Sequence, residues 1–200
     1  MRDEVTLSEM PVQTGAARPG YRATRARVET YFDKTATRTW ERLTSDAPVS
    51  KIRQTVREGR DRMRDLMLSR LPEDLRGARV LDAGCGAGQM TIELAKRGAQ
   101  VLATDISPAL VQIAESRLPE ELRAQVAFAS GDMLCPSLGQ FDHVIAMDSL
   151  IYYDAQDIGR ALAALETRTD GSIVFTVAPR TRALMTMWYA GKLFPRSDRS

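Results

Sequence analysis

Cysteine and histidine are scarce in this 200-residue chain, which has two of the first, Cys85 and Cys135, and one of the second, His143. Neither cysteine has the neighbour spacing of a zinc site or a disulfide framework, so the sequence predicts no disulfide and no protein-bound metal. Long apolar runs are missing as well. Nothing approaches the roughly 20 residues that a membrane span requires, and Met1 to Met10 are too charged for a secretion signal, so the expected location is the cytoplasm. There is no internal repeat, and no basic run interleaved with aromatics of the kind that binds nucleic acid. The 44% hydrophobic content suffices for one α/β domain with a core plus a modest extension.

Charge is unevenly spread. The net charge is +4 over residues 1–77, −6 over 78–179 and +4 over 180–200. Basic flanks around an acidic centre suit a cationic cofactor held centrally and an anionic acceptor held at the edges, although solvated helix faces produce similar patterns.

The run Val80-Leu81-Asp82-Ala83-Gly84-Cys85-Gly86-Ala87-Gly88 reads as a strand entering a glycine turn that opens a helix. Such a turn brings backbone against a ligand, and the helix N-terminus favours a carboxylate. A dinucleotide fingerprint needs glycine one position later, where Gln89 stands, so a pyrophosphate is disfavoured. Asp105 closes the apolar run Val101 to Thr104 and suits two ribose hydroxyls, with Ile106 beside it. After Val126 to Ala129 comes Ser130-Gly131-Asp132-Met133, which places a carboxylate and a backbone N–H where an adenine edge could be read. Phe141 to Asp148 supplies a fourth strand ending in another acid. This order resembles class I S-adenosylmethionine methyltransferases. The resemblance implies cofactor contacts at Asp82, Gly84, Gly86, Gly88, Asp105, Ile106, Asp132, Met133 and Asp148.

The chain divides into an expected mobile tail, residues 1–20; a helical lid, 21–72; and the methyltransferase domain, 73–200. In the lid, Tyr21 to Phe32 forms a short helix. A second helix follows Ser50 with the stripe Ile52, Val56, Met63, Leu66, Met67 and Leu71, ending at Pro72. Beyond Arg79, expected strands at 78–83, 100–105, 125–129, 141–147 and 172–178 alternate with expected helices at 87–97, 107–117, 156–167 and 181–191. The predicted fold is a Rossmann-like parallel sheet with helices on both faces. No strand-like run follows 178, so the sixth and seventh strands of the fold are expected to be missing and the carboxy-terminus shortened.

Three segments narrow the resemblance. Tyr31-Phe32-Asp33 with Trp40, Val49 to Arg53 through Val56 to Arg60, and Phe175-Thr176-Val177-Ala178-Pro179-Arg180-Thr181 are similar to the magnesium-protoporphyrin IX O-methyltransferases, from about Tyr21 to the end. That family implies methyl transfer from S-adenosylmethionine to a propionate of magnesium-protoporphyrin IX in chlorophyll or bacteriochlorophyll synthesis, the magnesium belonging to the substrate. It also implies handover from the porphyrin-binding subunit of magnesium chelatase, and contact with the photosynthetic membrane at its surface only. Tyr31 and Tyr152 are the catalytic candidates it suggests. Related enzymes carry histidine where Tyr152 stands, so a proton shuttle is not carried over to it. Aromatic packing is an equal reading for both tyrosines.

Other readings stay open at this level. A quinone or phenol methyltransferase would share the motifs from Val80 to Asp148, and so would a non-catalytic S-adenosylmethionine-binding subunit. The segment Asp148 to Tyr153 lacks the proline pair typical of base-amine methylation. His143 lies at the wrong end of its strand for chemistry and is expected to be structural. Arg38, Arg53, Arg60, Arg180 and Arg182 are candidate propionate partners, and Met133, Met147, Met185 and Met187 candidate porphyrin neighbours.

Overall fold

The computed structural model describes residues 19–31 and 51–177. Two helices come first, α1 (Pro19–Tyr31) and α2 (Lys51–Leu68). Then follow β1 (Arg79–Ala83), α3 (Gln89–Lys96), β2 (Gln100–Asp105), α4 (Pro108–Arg117), β3 (Val126–Ser130), β4 (Phe141–Ala146), α5 (Ala155–Glu166) and β5 (Thr169–Phe175). The strands are all parallel, in the order β3-β2-β1-β4-β5. This is the α/β sheet of class I methyltransferases that the alternation of elements predicts. Because the order reverses between β1 and β4, a crevice opens outside the carboxyl ends of those two strands.

Alternation along the central strands feeds two cores. Val80, Val101 and Ile145 face one layer with Met90 and Leu94 of α3, while Leu81, Val144 and Ala146 face the other with Ala161 and Leu165 of α5. Met67, Leu68 and Leu71 join the first layer, so the last turn of α2 is built into the sheet domain. A third, small cluster seats α1, with Val28 packed against Leu110 of α4, which Ile113 also flanks.

Several boundaries differ from expectation. Helix α1 starts at Pro19, within the expected tail of 1–20, because proline lacks the N–H that a first helical turn leaves unused anyway. Helix α2 ends at Leu68, before Pro72, and a turn in which Leu71 N–H donates to the Leu68 carbonyl drops Leu71 into the core. Of its expected apolar stripe, Met67 and Leu71 are buried, while Val56, Met63 and Leu66 are exposed at 46%, 40% and 53%. Strand β5 spans Thr169–Phe175, not 172–178. Its polar start pairs with β4 through an irregularity between Phe141 and His143, which are matched to Thr169 and Ser172. His143 stitches that irregularity, its Nδ1 lying 2.9 Å from Ser172 Oγ and accepting the Ser172 N–H at 3.3 Å, the structural role expected of it. The expected helix 181–191 and the expectation about further strands concern residues outside the described part. Among the described residues no helix is long and apolar enough to cross a membrane, and no group of His, Cys, Asp or Glu is arranged to hold a metal ion.

Candidate active site

The crevice is a cleft floored by the ends of β1, β2 and β4 and roofed by α1 and α2. At its floor, Gly84 and Cys85 both donate their N–H to the Thr104 carbonyl, which fastens the glycine turn across β2. Gly84 sits at φ 88°, and a Cβ there would lie 2.3 Å from Ser149 Cβ, so only glycine lets the turn meet the loop after β4. The Gly86 N–H donates to Asp105 Oδ2 at 2.9 Å, and the Ser107 N–H to Oδ1 at the same distance.

Almost every residue expected at the cofactor lines this cleft: Asp82, Gly84, Gly86, Asp105, Ile106, Asp132, Met133 and Asp148. Gly88 does not. It caps α3 at φ 85°, where a Cβ would stand 3.0 Å from Ala114 Cβ, so its smallness serves the packing of α3 against α4. Tyr152 lines the rim, 37% exposed. Tyr31 is the last residue of α1; its side chain, Trp40, Arg38, Arg180, Arg182, Met185, Met187 and the side chain of Arg53 lie outside the described part.

Asp82 is buried and accepts a 2.6 Å bond from the Thr91 hydroxyl. Burial pushes its carboxyl up to about 7, the charge of Asp105 adding to the rise and the Thr91 hydroxyl opposing it. Asp148, just past β4, has φ 58° and donates its N–H to Thr176 Oγ1 at 2.7 Å.

The sequence predicted a helical lid over 21–72 but not the contacts that seat it on the sheet. Tyr21 donates its hydroxyl to Asp132 Oδ1 at 2.9 Å, and Arg25, one turn later on α1, pairs with Asp132 Oδ2 at 3.2 Å. The Tyr21 ring stacks on Tyr153, centroids 5.0 Å apart and planes 22° from parallel. Burial and the nearby Asp132 raise both phenols, Tyr153 to about 12, so both remain hydrogen-bond donors at neutral pH. Helix α2 makes the matching contact at the other end, where the Arg60 guanidinium pairs with Asp148. The one usable signal was the Tyr21/Arg25 spacing, which puts both side chains on one helical face. The loop carrying Asp132 is held from behind by Arg168, whose buried guanidinium donates to the carbonyls of Met133 and Cys135.

Two buried hydroxyls on the cleft wall, Thr104 Oγ1 and Ser149 Oγ, have no hydrogen-bond partner among the described residues. Orphaned hydroxyls, a glycine-lined turn and four carboxylates make a donor and acceptor set that fits a nucleoside bearing an amino acid and a positive charge.

The pattern described as the C-terminus of magnesium-protoporphyrin IX methyltransferase matches residues 146–200, and a general methyltransferase domain matches residues 80–169. The magnesium-protoporphyrin O-methyltransferase of Rhodobacter capsulatus is 66% identical over 181 residues, covering 90% of this chain and 81% of the relative. The chain belongs to the magnesium-protoporphyrin O-methyltransferase family. The family's crystal structure from Synechocystis with bound SAH superposes at a TM-score of 0.77, with 31% identity, covering 86% of this chain and 80% of that one. The Synechocystis structure with bound SAM gives a TM-score of 0.70 at 29% identity, covering 84% and 80%. The family's methyl donor is therefore S-adenosylmethionine, and the cleft described above has the residues to receive it.

Proposed function

We propose that this chain transfers a methyl group from S-adenosylmethionine to a propionate carboxylate of magnesium-protoporphyrin IX, forming the monomethyl ester in chlorophyll or bacteriochlorophyll synthesis. The observation that carries the reading is the family-specific match over 146–200, which begins where β4 ends and includes the cleft-lining Met147, Asp148, Ser149, Tyr152 and Tyr153. The general methyltransferase match spans 80–169 and overlaps it in part.

S-adenosylmethionine brings an electrophilic methyl group on a sulfonium. The chain supplies the rest by binding, orienting and drying. Asp105 takes the ribose hydroxyls, Asp132 the adenine edge, and Asp82 with the turn at Gly84 and Gly86 the amino-acid end. A propionate has a pKa of about 4.3 and is already an oxygen nucleophile at neutral pH, so no strong general base is required. Alignment and exclusion of water carry the rate, because attack by a carboxylate on a sulfonium methyl disperses opposite charges. The Tyr21–Tyr153 stack and the pairs Arg25–Asp132 and Arg60–Asp148 close the roof that provides both. Tyr152, on the rim, donates its hydroxyl to the acceptor; a second catalytic role is proposed for Tyr31 from the family resemblance alone.

On this reading the porphyrin arrives in the cytoplasm from the porphyrin-binding subunit of magnesium chelatase, and contact with the photosynthetic membrane is limited to its surface. The test is an assay of the purified chain with magnesium-protoporphyrin IX and methyl-labelled cofactor. Mild alkali should release the label as methanol, as it does from an ester. A base-stable product, as from a phenol or an amine, would rule the reading out.

A further inference from the structure

Helix α2 presents two arginines to the cleft, Arg60 and Arg64, one turn apart. Their surroundings differ. Arg60 is paired with Asp148. Arg64 reaches back along its own helix to Asp61, itself 44% exposed, through one Nη at 2.9 Å. Its Nε is buried and has no hydrogen-bond partner among the described residues. A guanidinium donor removed from water and left without an acceptor is a cost that a fold retains where a ligand supplies the acceptor. The two guanidinia also sit close enough for the charge of Arg64 to depress the proton affinity of Arg60, alongside burial as the larger cause. An anion beside them relieves that repulsion.

The other charged groups of the cleft have different duties. Arg25 is committed to Asp132, and the four carboxylates Asp82, Asp105, Asp132 and Asp148 repel an acidic acceptor. A substrate with two propionates therefore needs a cation on the α2 wall, and Arg64 is the one whose planar donor set is incompletely used. A carboxylate held by a guanidinium has its charge delocalised into hydrogen bonds and is a poorer nucleophile. The anchored carboxylate is thus the one that does not react.

We infer that Arg64 is the anchor for the unreacting propionate of the porphyrin, positioning its neighbour for methylation. The inference rests on the function proposed above. It makes Arg64 a specificity-determining residue that acts on binding, while the reacting centre lies elsewhere.

The experiment measures porphyrin binding by fluorescence quenching, and steady-state kinetics, for the full chain and for Arg64→Gln, Arg64→Lys and Arg62→Gln. Arg62 lies on the exposed side of the same helix and serves as the control. Cofactor affinity and melting temperature, measured on every variant, establish that each is folded. For Arg64→Gln the dissociation constant and KM for magnesium-protoporphyrin IX should rise about tenfold, with kcat changed less than about twofold. Arg64→Lys, which keeps the charge without the planar fork, should fall between. Binding of the magnesium-protoporphyrin dimethyl ester, which has no carboxylate, should be the same in all four proteins. The inference is overturned if Arg64→Gln binds the diacid as the parent does, if it loses the dimethyl ester equally, or if the loss falls on kcat at unchanged KM. Should the parent chain bind neither porphyrin, the substrate reading itself falls and this inference with it.

Discussion

Asp105 joins two jobs in one carboxylate. It ties the glycine turn to the loop before α4 through the Gly86 and Ser107 N–H groups, and it stands where the ribose of the cofactor is expected. Asp105→Ala removes a charged acceptor from both, so affinity for S-adenosylmethionine should fall by about 1.5–3 kcal/mol, read by calorimetry. Unchanged affinity would remove Asp105 from the site. Asp82 adds a pH dependence. Its carboxyl is raised from the model-compound 3.8 to about 7, so the folded state holds the proton more tightly than the unfolded chain. Its contribution to stability is fully present below the unfolded value and is lost as pH rises through about 7, where a buried charge must be carried. Thermal unfolding should therefore show the parent losing stability relative to Asp82→Asn between about pH 4 and pH 7, with no further loss above that. Parallel curves for the two proteins would place the titration elsewhere. Asp105 could be picked out in the sequence because it closes the apolar run Val101 to Thr104, a purely local pattern, whereas Asp82 came only from the family resemblance. For Gly88 the spacing fits the glycine signature, and the structure adds a demand no local pattern shows, since a Cβ there would meet Ala114 on a different helix.

At the scale of elements, the sheet and the helices of the roof could be read, and the contacts that join them could not. Strands β1 to β4 announce themselves as apolar runs, whereas β5 starts with the polar Thr169-Asp170-Gly171 and is paired only through the irregularity at His143. The contacts of α1 reach more than a hundred positions along the chain, from Tyr21 and Arg25 to Asp132, and no local periodicity records them. The same contacts define an experiment on closure. Tyr21→Phe combined with Arg25→Ala unlatches α1 without disturbing Val28, which packs on Leu110. Losing a buried hydrogen bond and a part-buried ion pair should weaken the closed roof by about 1–3 kcal/mol. The expected result is faster amide exchange over α1 and kcat lowered about tenfold, with the melting temperature within about 2 °C of the parent. A variant with full turnover would show that α1 is not what dries the site. Removing everything before Glu73 is a poorer test of the lid, since it also deletes Met67, Leu68 and Leu71 from the core. The Asp132 loop gives a complementary case: Arg168→Met removes the donor to two carbonyls, at about 1.5–3 kcal/mol, and should weaken cofactor binding from a residue outside the cleft lining.

Across the molecule, both N-terminal helices, the glycine turn and the ends of β1, β2 and β4 meet at the cleft. A ligand there is bound by the closed assembly and not by its separated parts, so binding free energy becomes folding free energy. With cofactor or its demethylated product at about 100 times the dissociation constant, the gain is about 2.7 kcal/mol. A chain of this length moves its unfolding midpoint by roughly 2–4 °C per kcal/mol, so the midpoint should rise by about 5–11 °C. Because α1 and α2 share the site, far-UV circular dichroism, which sees all the helices, and near-UV signals from Tyr21, Tyr152 and Tyr153 should shift together. Asp105→Ala should lose most of the rise at the same ligand concentration. If the midpoint rose while the tyrosine signals stayed put, the ligand would be binding the sheet with the roof open, and water exclusion by α1 and α2 would have to depend on the porphyrin instead.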